Sequence, residues 1–414
     1  MQENRKYSLS ASSVYQFGGW LAPVLTERFK LKKIWLTLAC LLVVCLTVLV
    51  SGCSDDQVDD PDNPNGDTSA FSPEIRYATQ FSLEAVGNGC ELLTDGEDQQ
   101  ILLVPEGATA PAAYANLPRI QTPVKNVVIL STTYAGYMRA LGVLDAIKGV
   151  TTEAADWYID SIKTGLENGS IQYLGGSGMG APNYEEVQAL QPDVVLTYIS
   201  SSTDVEIYET LKTLGLPVVI SNESLENHPL GRLEHVKLVA SLFNLDQEAE
   251  EFFDQSEEQI QTIINKVSNQ LDSPTVIWAS LWMGTVYAAA DDSYVGALMK
   301  LAGGQYLFPE IRGVGSPGIS LEELYARGKN ADVFVYPSWP PWIGSLEDII
   351  DAAPILADIQ PMLSGDVWCY QAWWWQSGDK LPEMVKDLAA IFYPDLFPGY
   401  TVQHLLKLPA HPAG

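Results

Sequence analysis

Residues 231–273 read GRLEHVKLVASLFNLDQEAEEFFDQSEEQIQTIINKVSNQLDS, a stretch without proline whose single glycine is its first residue. Its apolar residues recur at helical spacing and its other faces are acidic, which predicts amphipathic helix almost throughout. The sequence Asn244-Leu245-Asp246 predicts a break, with Asp246 as the N-cap of a second helix of roughly 20 residues. An isolated surface helix would show the same pattern, so its role depends on the chain on either side.

The composition is globular and strongly acidic. The chain has 414 residues, of which 47% are hydrophobic and 10% aromatic, enough for about two domains of ordinary size. Its 52 Asp and Glu outnumber its 23 Lys and Arg, for a formal net charge of −29. Such a surface repels nucleic-acid phosphates and anionic lipid, so nucleic acid is excluded as a partner.

The first 52 residues have the features of a signal peptide. Lys32 and Lys33 precede an uncharged apolar run over residues 34–50, which ends in Val-Ser-Gly-Cys at Cys53. The small residues before the cysteine resemble a bacterial lipobox, and this resemblance implies cleavage before Cys53 and lipidation of its sulfur. A short transmembrane anchor remains the alternative for the apolar run. The long segment before the run leaves a downstream translation start open.

Residues 53–70 are acidic and contain Pro, Asn and Gly, which predicts a disordered tether. Their Asp and Asn content hints at calcium, but no frame gives the full EF-hand spacing. Beyond Cys53 the remaining cysteines are Cys90 and Cys369. A disulfide between these two cysteines and a pair of free buried thiols both remain open.

Two stretches on either side of residues 223–273 repeat one α/β pattern. An N-terminal lobe over residues 71–222 begins with a predicted edge β-hairpin over 75–104. Its buried strands and its helices then alternate, with strands at 127–130, 194–198 and 218–220 and helices at 137–147, 183–190 and 207–214. A C-terminal lobe over residues 274–414 repeats the pattern, with strands at 275–278 and 333–336 and helices at 294–302 and 321–326.

The repeat is sharpest at two helix starts, Asn183-Tyr-Glu-Glu-Val and Ser320-Leu-Glu-Glu-Leu. Each has an N-cap residue with Glu three positions later, and an Asp-Val strand start follows at Asp193 and at Asp332. Two capping boxes would explain the pattern alone, because acidic residues are favourable near helix N-termini.

The sequences ALGVLDAIKGV (140–150) and PNYEEVQALQPDVVL (182–196), after a strand and a Ser/Thr loop, resemble the iron-siderophore and vitamin B12 family of ABC-transporter substrate-binding proteins. The resemblance runs from about Pro118 to about Pro398. It implies two Rossmann-like α/β lobes bridged by a long rigid helix, with the transported ligand in the cleft between them and no intrinsic cofactor. It also implies docking to an ABC permease dimer with its ATPase, through Glu185 and Glu322.

Ligand contacts are expected at the carboxyl ends of the strands, as in open α/β sheets. Many of the predicted ligand-binding residues are aromatic, which favours a large flat ligand over a free ion. Three consecutive tryptophans, Trp373-Trp374-Trp375, cannot all point inward. Arg312 is the cationic candidate for an anionic chelate. The predicted ligand-binding residues are Ser131, Thr132, Thr133, Tyr134, Trp157, Tyr158, Tyr198, Ser200, Trp282, Met283, Arg312, Trp339, Trp342 and Trp374.

The remaining motifs in the sequence give little indication of function. Gly313-Val-Gly-Ser-Pro-Gly fits a dinucleotide pattern, but Pro317 would block the helix it should open. The chain has no HExxH or CxxC motif and four histidines in all, which argues against a metal site of its own and against catalysis by a triad.

We therefore expect a monomeric, lipid-anchored, extracytoplasmic binding protein without enzymatic activity. Its expected ligand is a metal chelate, with a ferric siderophore as the first choice and a corrinoid or haem as the alternative. A surface sensor without a permease, and an enzyme or assembly protein of similar architecture, are the competing classes.

Overall fold

The computed structural model describes residues 72–176, 180–313 and 315–410. The predicted signal peptide (1–52), the lipidation site Cys53 and the predicted tether (53–70) lie outside the described residues. No helix among the described residues has both the length and the apolar character needed to span a membrane.

The chain begins with a four-stranded sheet that includes the predicted hairpin. Its strands are β1 (Ser82–Gly87), β2 (Cys90–Thr94), β3 (Gln100–Pro105) and β4 (Arg119–Thr122), in the order β1-β2-β3-β4. The hairpin turns at Asn88 and Gly89, both at positive φ, which Asn and Gly tolerate best. Leu93, Ile101 and Ile120 of this sheet belong to the same core as the parallel sheet that follows.

A five-stranded, fully parallel sheet forms the centre of the N lobe, the name we use for the body around these strands. The order is β7-β6-β5-β8-β9, for β5 (Val127–Ile129), β6 (Ile147–Val150), β7 (Gln172–Tyr173), β8 (Val194–Thr197) and β9 (Val218–Ile220). Its helices are α1 (Thr133–Ala140), α2 (Asp160–Asn168), α3 (Tyr184–Ala189) and α4 (Ser202–Thr213). Apolar side chains are buried on both faces of the sheet.

The helix predicted over 137–147 is wrong in its position. Helix α1 begins at Thr133 and ends at Ala140, because the chain turns at Gly142 with a φ of 70°. Ile147 then opens strand β6. The second half of the predicted helix is instead a turn and a short 3₁₀ helix (Leu144–Ala146), because Gly142 ends the α-helix although the apolar spacing continues past it.

Two helices connect the N lobe to the second body. They are α5 (Pro229–Ser241) and α6 (Asp246–Val267), separated by Asn244 at a φ of 56°, so the predicted break is confirmed. The N-cap of α6 is Leu245, whereas Asp246 is its first helical residue and makes no capping bond. The prediction of Asp246 as N-cap is therefore wrong by one residue.

Helix α5, not the longer α6, is the element buried on all sides. Leu230 and Leu233 at its start belong to the core of the second body, whereas Val236 and Val239 belong to the core of the N lobe. Helix α6 instead buries one stripe, which includes Phe253 and Ile260, and keeps its acidic faces in solvent. Thus α5 joins the two cores directly.

The second body, the C lobe, is built around a seven-stranded mixed sheet. Its path is β13-β11-β10-β14-β15-β16, with β12 paired to β10, for β10 (Thr275–Trp282), β11 (Thr285–Ala288), β12 (Gln305–Tyr306), β13 (Gly318–Ile319), β14 (Val333–Tyr336), β15 (Val367–Tyr370) and β16 (Leu405–Lys407). Its helices are α7 (Tyr294–Leu301), α8 (Leu321–Gly328), α9 (Leu346–Ala352), α10 (Gln360–Ser364) and α11 (Leu381–Phe392). The predicted two-lobed α/β architecture is confirmed.

One aspartate in each lobe fixes the start of the central strands in the same way. Asp193 Oδ2 accepts the backbone N–H of Lys125 (2.7 Å) and of Asn126 (2.9 Å), just before β5. Asp332 Oδ2 accepts the backbone N–H and the hydroxyl of Thr275, both at 2.7 Å, at the start of β10. The repeated Asp-Val motif therefore has the same structural role in both lobes.

Cys90 and Cys369 are free and buried, which decides against a disulfide between them. Cys90 lies on β2 beside the N lobe, and Cys369 lies on β15 in the C lobe.

Glu91 on β2 is a buried carboxyl whose Oε1 has no hydrogen-bond partner. Burial, with a smaller contribution from Asp246, raises the pKa of Glu91 from 4.5 to about 7. The native state therefore keeps a proton that the unfolded chain loses above pH 4.5. Because the folded state holds the extra proton, stability falls as pH rises from 4.5 through 7 and stays low above it.

We predict that Glu91→Gln stabilises the protein at pH 8 by on the order of 1–3 kcal/mol, with little gain at pH 4.5. Thermal unfolding followed by circular dichroism across this range measures the difference between the two proteins. The control is Glu84→Gln at an exposed position of neighbouring β1. Parallel stability curves for the wild type and Glu91→Gln would contradict the prediction.

Candidate functional site

In the N lobe, three loops meet at the carboxyl edge of the parallel sheet. They follow β5 (Ser131 and Thr132, leading into Thr133 at the start of α1), β8 (Tyr198–Ser200) and β9 (Ser221–Glu223). Tyr134 lies beneath them, where its hydroxyl bonds the carbonyl oxygens of Thr197 (2.7 Å) and Ser221 (2.9 Å). One hydroxyl has one proton, so it donates to one of these oxygens at a time.

The prediction that Tyr134 contacts ligand is therefore wrong. Its side chain is 0% exposed, and its hydroxyl is used to hold the loops after β8 and β9. Trp157 is also wrong as a ligand contact, because it is 1% exposed and donates its indole N–H to the Thr152 carbonyl at 3.1 Å. Both residues support the loops from below.

The other N-lobe candidates are accessible to different degrees. Ser131, Thr132, Thr133, Tyr198 and Ser200 are half-buried. The Ser200 hydroxyl donates to Asp204 Oδ2 at 2.9 Å, so only its lone pairs remain for another group. Burial, then Asp204 and Glu223, raises the pKa of Tyr198, which keeps this phenol protonated. These loops thus present hydroxyl groups rather than charges.

In the C lobe, strand β10 continues beyond its parallel pairing and forms a hairpin with β11. The parallel register with β14 ends at Trp278, and β10 pairs with β11 from Ala279 to Trp282. These four residues project roughly 13 Å past the parallel ladder, at about 3.3 Å per residue. The Tyr336 hydroxyl braces the hairpin by accepting from the Leu281 N–H at 3.1 Å.

The hairpin tip is exposed and locally strained. Trp282 is 44% exposed, and Met283 is 87% exposed at a φ of 47°. Positive φ is uncommon outside Gly, Asn and Asp, and a bulky residue there costs of order 1–3 kcal/mol. An apolar side chain is therefore held in solvent at a position where Asn or Gly would be more stable.

The tryptophans that follow β14 and β15 divide between surface and core. Trp342 is 41% exposed, and Trp339 and Trp373 are half-buried. Trp374 is 3% exposed and stacks on Tyr370 at 4.3 Å between ring centroids. The prediction that Trp374 contacts ligand is wrong, since its ring belongs to the C-lobe core.

Arg312 is mainly exposed, but its charge is already paired. Its Nη1 lies 2.8 Å from Asp291 Oδ2, the same oxygen that Lys300 contacts at 2.8 Å. Asp291 itself is buried. Arg312 therefore partly neutralises a buried carboxylate and is a weaker candidate for an anionic ligand than its sequence context indicates.

Sequence reasoning missed Arg232, which lies on α5 between the two lobes. Its Nε donates to the Glu223 carbonyl in the N lobe at 3.1 Å, and its guanidinium lies 4.0 Å from the ring centroid of Tyr294 in the C lobe. Burial raises the pKa of the Glu223 carboxyl, although Arg232 and His235 oppose the shift. Arg232 had no distinguishing signal in the sequence, because the burial of α5 on all sides appears only in the structure.

The two predicted docking carboxylates are exposed in equivalent first turns. Glu185 is the second residue of α3, where the Asn183 side chain accepts the N–H of Glu185 at 3.2 Å. Glu322 is the second residue of α8, where the Ser320 hydroxyl accepts the N–H of Glu323 at 3.1 Å. Both N-caps are confirmed. The exposure of both carboxylates leaves them accessible to a partner.

Within residues 72–176, 180–313 and 315–410, no group of three or more His, Cys, Asp or Glu is arranged to hold a metal ion. The side chains at the strand ends are instead aromatic and hydroxyl-bearing. They suit a large apolar or aromatic ligand better than a bare ion.

The chain is similar to a family of binding proteins and to a lipoprotein. A family model described as periplasmic binding protein matches residues 127–354, from the first residue of β5 into the C lobe. An uncharacterized lipoprotein of Methanocaldococcus jannaschii is 28% identical over 399 residues, covering 89% of this chain and 95% of that protein. The four-stranded sheet before residue 127 lies outside the family match.

Two solved structures show the same fold at low sequence identity. A periplasmic heme binding protein from Pseudomonas aeruginosa aligns with a TM-score of 0.57 and 19% identity, covering 70% of this chain and 100% of that chain. Helicobacter pylori CeuE with Ni(II) bound aligns with a TM-score of 0.54 and 18% identity, covering 68% and 88% of the respective chains.

Proposed function

Because the chain belongs to the periplasmic binding protein family, we propose that it delivers a ferric siderophore to an ABC importer from the outer side of the membrane. The family consists of extracytoplasmic substrate-binding proteins whose ligands are transported rather than retained as cofactors. The specific ligand, the lipid anchor, the permease contacts and the absence of catalysis are proposals for this chain. A monomer suffices for this role, because both lobes come from one chain.

The observation that carries the ligand proposal is the set of exposed aromatic residues at the strand ends of both lobes. Tyr158 of the N lobe is 46% exposed, and Trp282 and Trp342 of the C lobe are similarly exposed. Aromatic faces bury large flat or apolar surfaces, whereas the nearby hydroxyl groups and Arg232 offer hydrogen bonds to chelate oxygens. A corrinoid or haem would use the same aromatic walls and is the alternative ligand.

We predict that the purified protein binds a ferric siderophore with quenching of its tryptophan fluorescence. The panel contains a ferric hydroxamate, a ferric catecholate, cyanocobalamin and haemin, with the iron-free chelators as controls. Saturable quenching by a ferric chelate at micromolar concentration or below, without quenching by the others, supports the proposal. Selective binding of cyanocobalamin or haemin would replace the siderophore with that ligand, and no binding at all would overturn the chelate class.

Met283→Asn provides an internal control for this test. Asn tolerates positive φ better than Met, so the variant should be at least as thermally stable as the wild type. If the hairpin tip contacts the chelate, the variant should nevertheless bind it several-fold more weakly. Unchanged affinity would remove Met283 from the ligand site while leaving the ligand class intact.

We propose that Cys53 carries the lipid that anchors the chain to the membrane. The predicted signal sequence supports this, as does the similarity to an archaeal lipoprotein. Cys53→Ser should release the protein from the membrane fraction or leave residues 1–52 attached, because the lipid supplies most of the membrane affinity. Normal processing with unchanged membrane retention would reject the assignment.

We propose that Glu185 and Glu322 meet basic residues of the permease. Exposed charges near a helix start contribute only about 0.3–1 kcal/mol, so their replacement should leave the fold intact. The double variant Glu185→Arg, Glu322→Arg should therefore retain chelate affinity while uptake in cells collapses, because like charges would face each other at both contacts.

The matched control for docking is Glu209→Arg with Asp351→Arg, which makes the same charge change at exposed positions on α4 and α9. This variant should transport normally. Normal uptake by the Glu185→Arg, Glu322→Arg protein would refute the docking role. Loss of uptake in both variants would attribute the effect to net charge instead.

A further inference from the structure

The two lobes are joined directly by a second set of contacts, separate from α5 and α6. Helix α1 of the N lobe packs against residues 374–380 of the C lobe, which follow β15. Arg139 forms a bidentate pair with Asp379, with Nε 3.0 Å from Oδ2 and Nη2 2.5 Å from Oδ1. The same Nη2 donates to the Gln376 carbonyl at 3.1 Å. The Arg139 guanidinium thus binds both a carboxylate and a backbone carbonyl of the C lobe.

The Gln376 side chain makes the contact reciprocal. Its Nε2 donates to the Asp156 carbonyl at 2.7 Å, and its Oε1 accepts the Tyr158 N–H at 2.8 Å. Both ends of the amide are satisfied by backbone groups of the N lobe, and the side chain is 5% exposed. These two partners fix the orientation of the Gln376 amide, and through them the amide binds the N-lobe backbone at Asp156 and at Tyr158.

Two glycines permit the close approach. A Cβ at Gly136 on α1 would lie 3.1 Å from Asp379 Oδ1 and 3.3 Å from the Gln376 carbonyl oxygen. A Cβ at Gly378 would lie 3.3 Å from both Thr133 and Tyr137 side-chain carbons. The backbones of the two lobes therefore meet at a distance that a side chain on either glycine would increase.

The clasp, our name for Arg139, Gln376 and Asp379 with their partners, lies next to the proposed ligand site. Helix α1 begins directly after the Ser131–Thr132 loop, and Trp373 directly precedes the C-lobe part of the clasp. The rings of Trp373 and Tyr158, one from each lobe, lie 6.0 Å apart between centroids. Any change in the clasp therefore changes the separation of these two walls.

We propose that Arg139, Gln376 and Asp379 are positioning residues that set the spacing of the lobes, and that the clasp must loosen for the ligand to leave. The part concerning ligand release rests on the proposed function, whereas the part concerning lobe spacing does not. The side chain of Asp379 is 4% exposed, so separating the lobes would break hydrogen bonds to Arg139 that are largely shielded from water. Charge-assisted bidentate pairs of this kind are stronger than neutral hydrogen bonds. Opening the lobes therefore carries a cost beyond lost apolar contact.

The first test measures lobe spacing without any ligand. Spin labels at Glu209→Cys on α4 and Asp351→Cys on α9, both exposed sites, report the distance between lobes by pulsed electron paramagnetic resonance. The processed full chain is used, in which Cys90 and Cys369 are buried and therefore poorly reactive. Arg139→Met should broaden or lengthen the distance distribution, and Arg139→Lys should restore only part of the wild-type distribution, because it keeps the charge but cannot form the bidentate pair.

The second test measures the kinetics of binding for the ferric chelate selected by the quenching panel. Arg139→Met should raise koff about tenfold, a change of 1.4 kcal/mol, with kon changed less. The matched control is Arg119→Met, an exposed arginine on β4 that donates within its own lobe. This control should leave both the distance distribution and koff unchanged.

The outcomes separate the two proposals. A wild-type distance distribution in Arg139→Met overturns the clasp, whatever the ligand. A changed distribution with unchanged koff overturns its role in release. A changed distribution in a protein that binds no chelate supports the clasp and contradicts the proposed function. If Arg139→Met does not fold, Asp379→Asn, which removes the charge from the same pair and keeps the size of the side chain, should change the distance distribution in the same direction.

Discussion

The arrangement of both lobes depends on a group of buried charges on and around α5. Glu234 is 0% exposed, and its carboxylate accepts the backbone N–H groups of Arg76, Tyr77 and Ala78 at 2.7–2.8 Å. Lys237, also 0% exposed, lies 3.1 Å from Glu234 and 2.9 Å from Glu250 of α6. Buried charges are tolerated only when paired and hydrogen-bonded, and removing one partner of such a pair costs about 3–5 kcal/mol. Residues 76–78, near the start of the described chain, are therefore bound to Glu234 of α5, and Lys237 links the same group to α6.

Glu226 extends the same network toward the N lobe. It accepts the N–H groups of Thr79 and Gln80 and lies 3.2 Å from His235, whose other ring nitrogen meets Ser221. Burial pushes the pKa of Glu226 upward, but His235 and the two N–H groups outweigh it, so the pKa is lowered overall. Ser221 belongs to the loop that Tyr134 also holds. The strand-end loops are thus supported from α5 and from α1 together, and the clasp extends this support from α1 to the C lobe.

Much of the fold could be read from the sequence, because α/β alternation and helix caps are local signals. Asn183 and Ser320 cap their helices as expected, and the break at Asn244 follows from a residue that tolerates positive φ. Errors occurred where local patterns are degenerate. The run after Ala140 keeps helical apolar spacing, but the chain turns at Gly142 and the helix ends before it. Glu234 of α5 looked like a surface position, because no local pattern reveals backbone partners 156–158 positions distant.

The candidate site was harder to predict than the fold, because burial separates residues that share a chemical type. The sequence placed tryptophans and tyrosines at the strand ends, and the structure divides them. Tyr134, Trp157 and Trp374 support the loops from the core, whereas Tyr158, Trp282 and Trp342 remain exposed. Buried and exposed aromatic residues both follow strands in the sequence. Only the packing neighbours of each ring, which the structure shows, distinguish the two groups. Met283 shows the opposite case, since its positive φ opposes the local preference of the chain and no core contact compensates for it. The pairing of Trp282 with Thr285 leaves Met283 and Gly284 as a two-residue turn, which requires positive φ at both residues, so the paired strands impose a backbone conformation that Met alone does not favour.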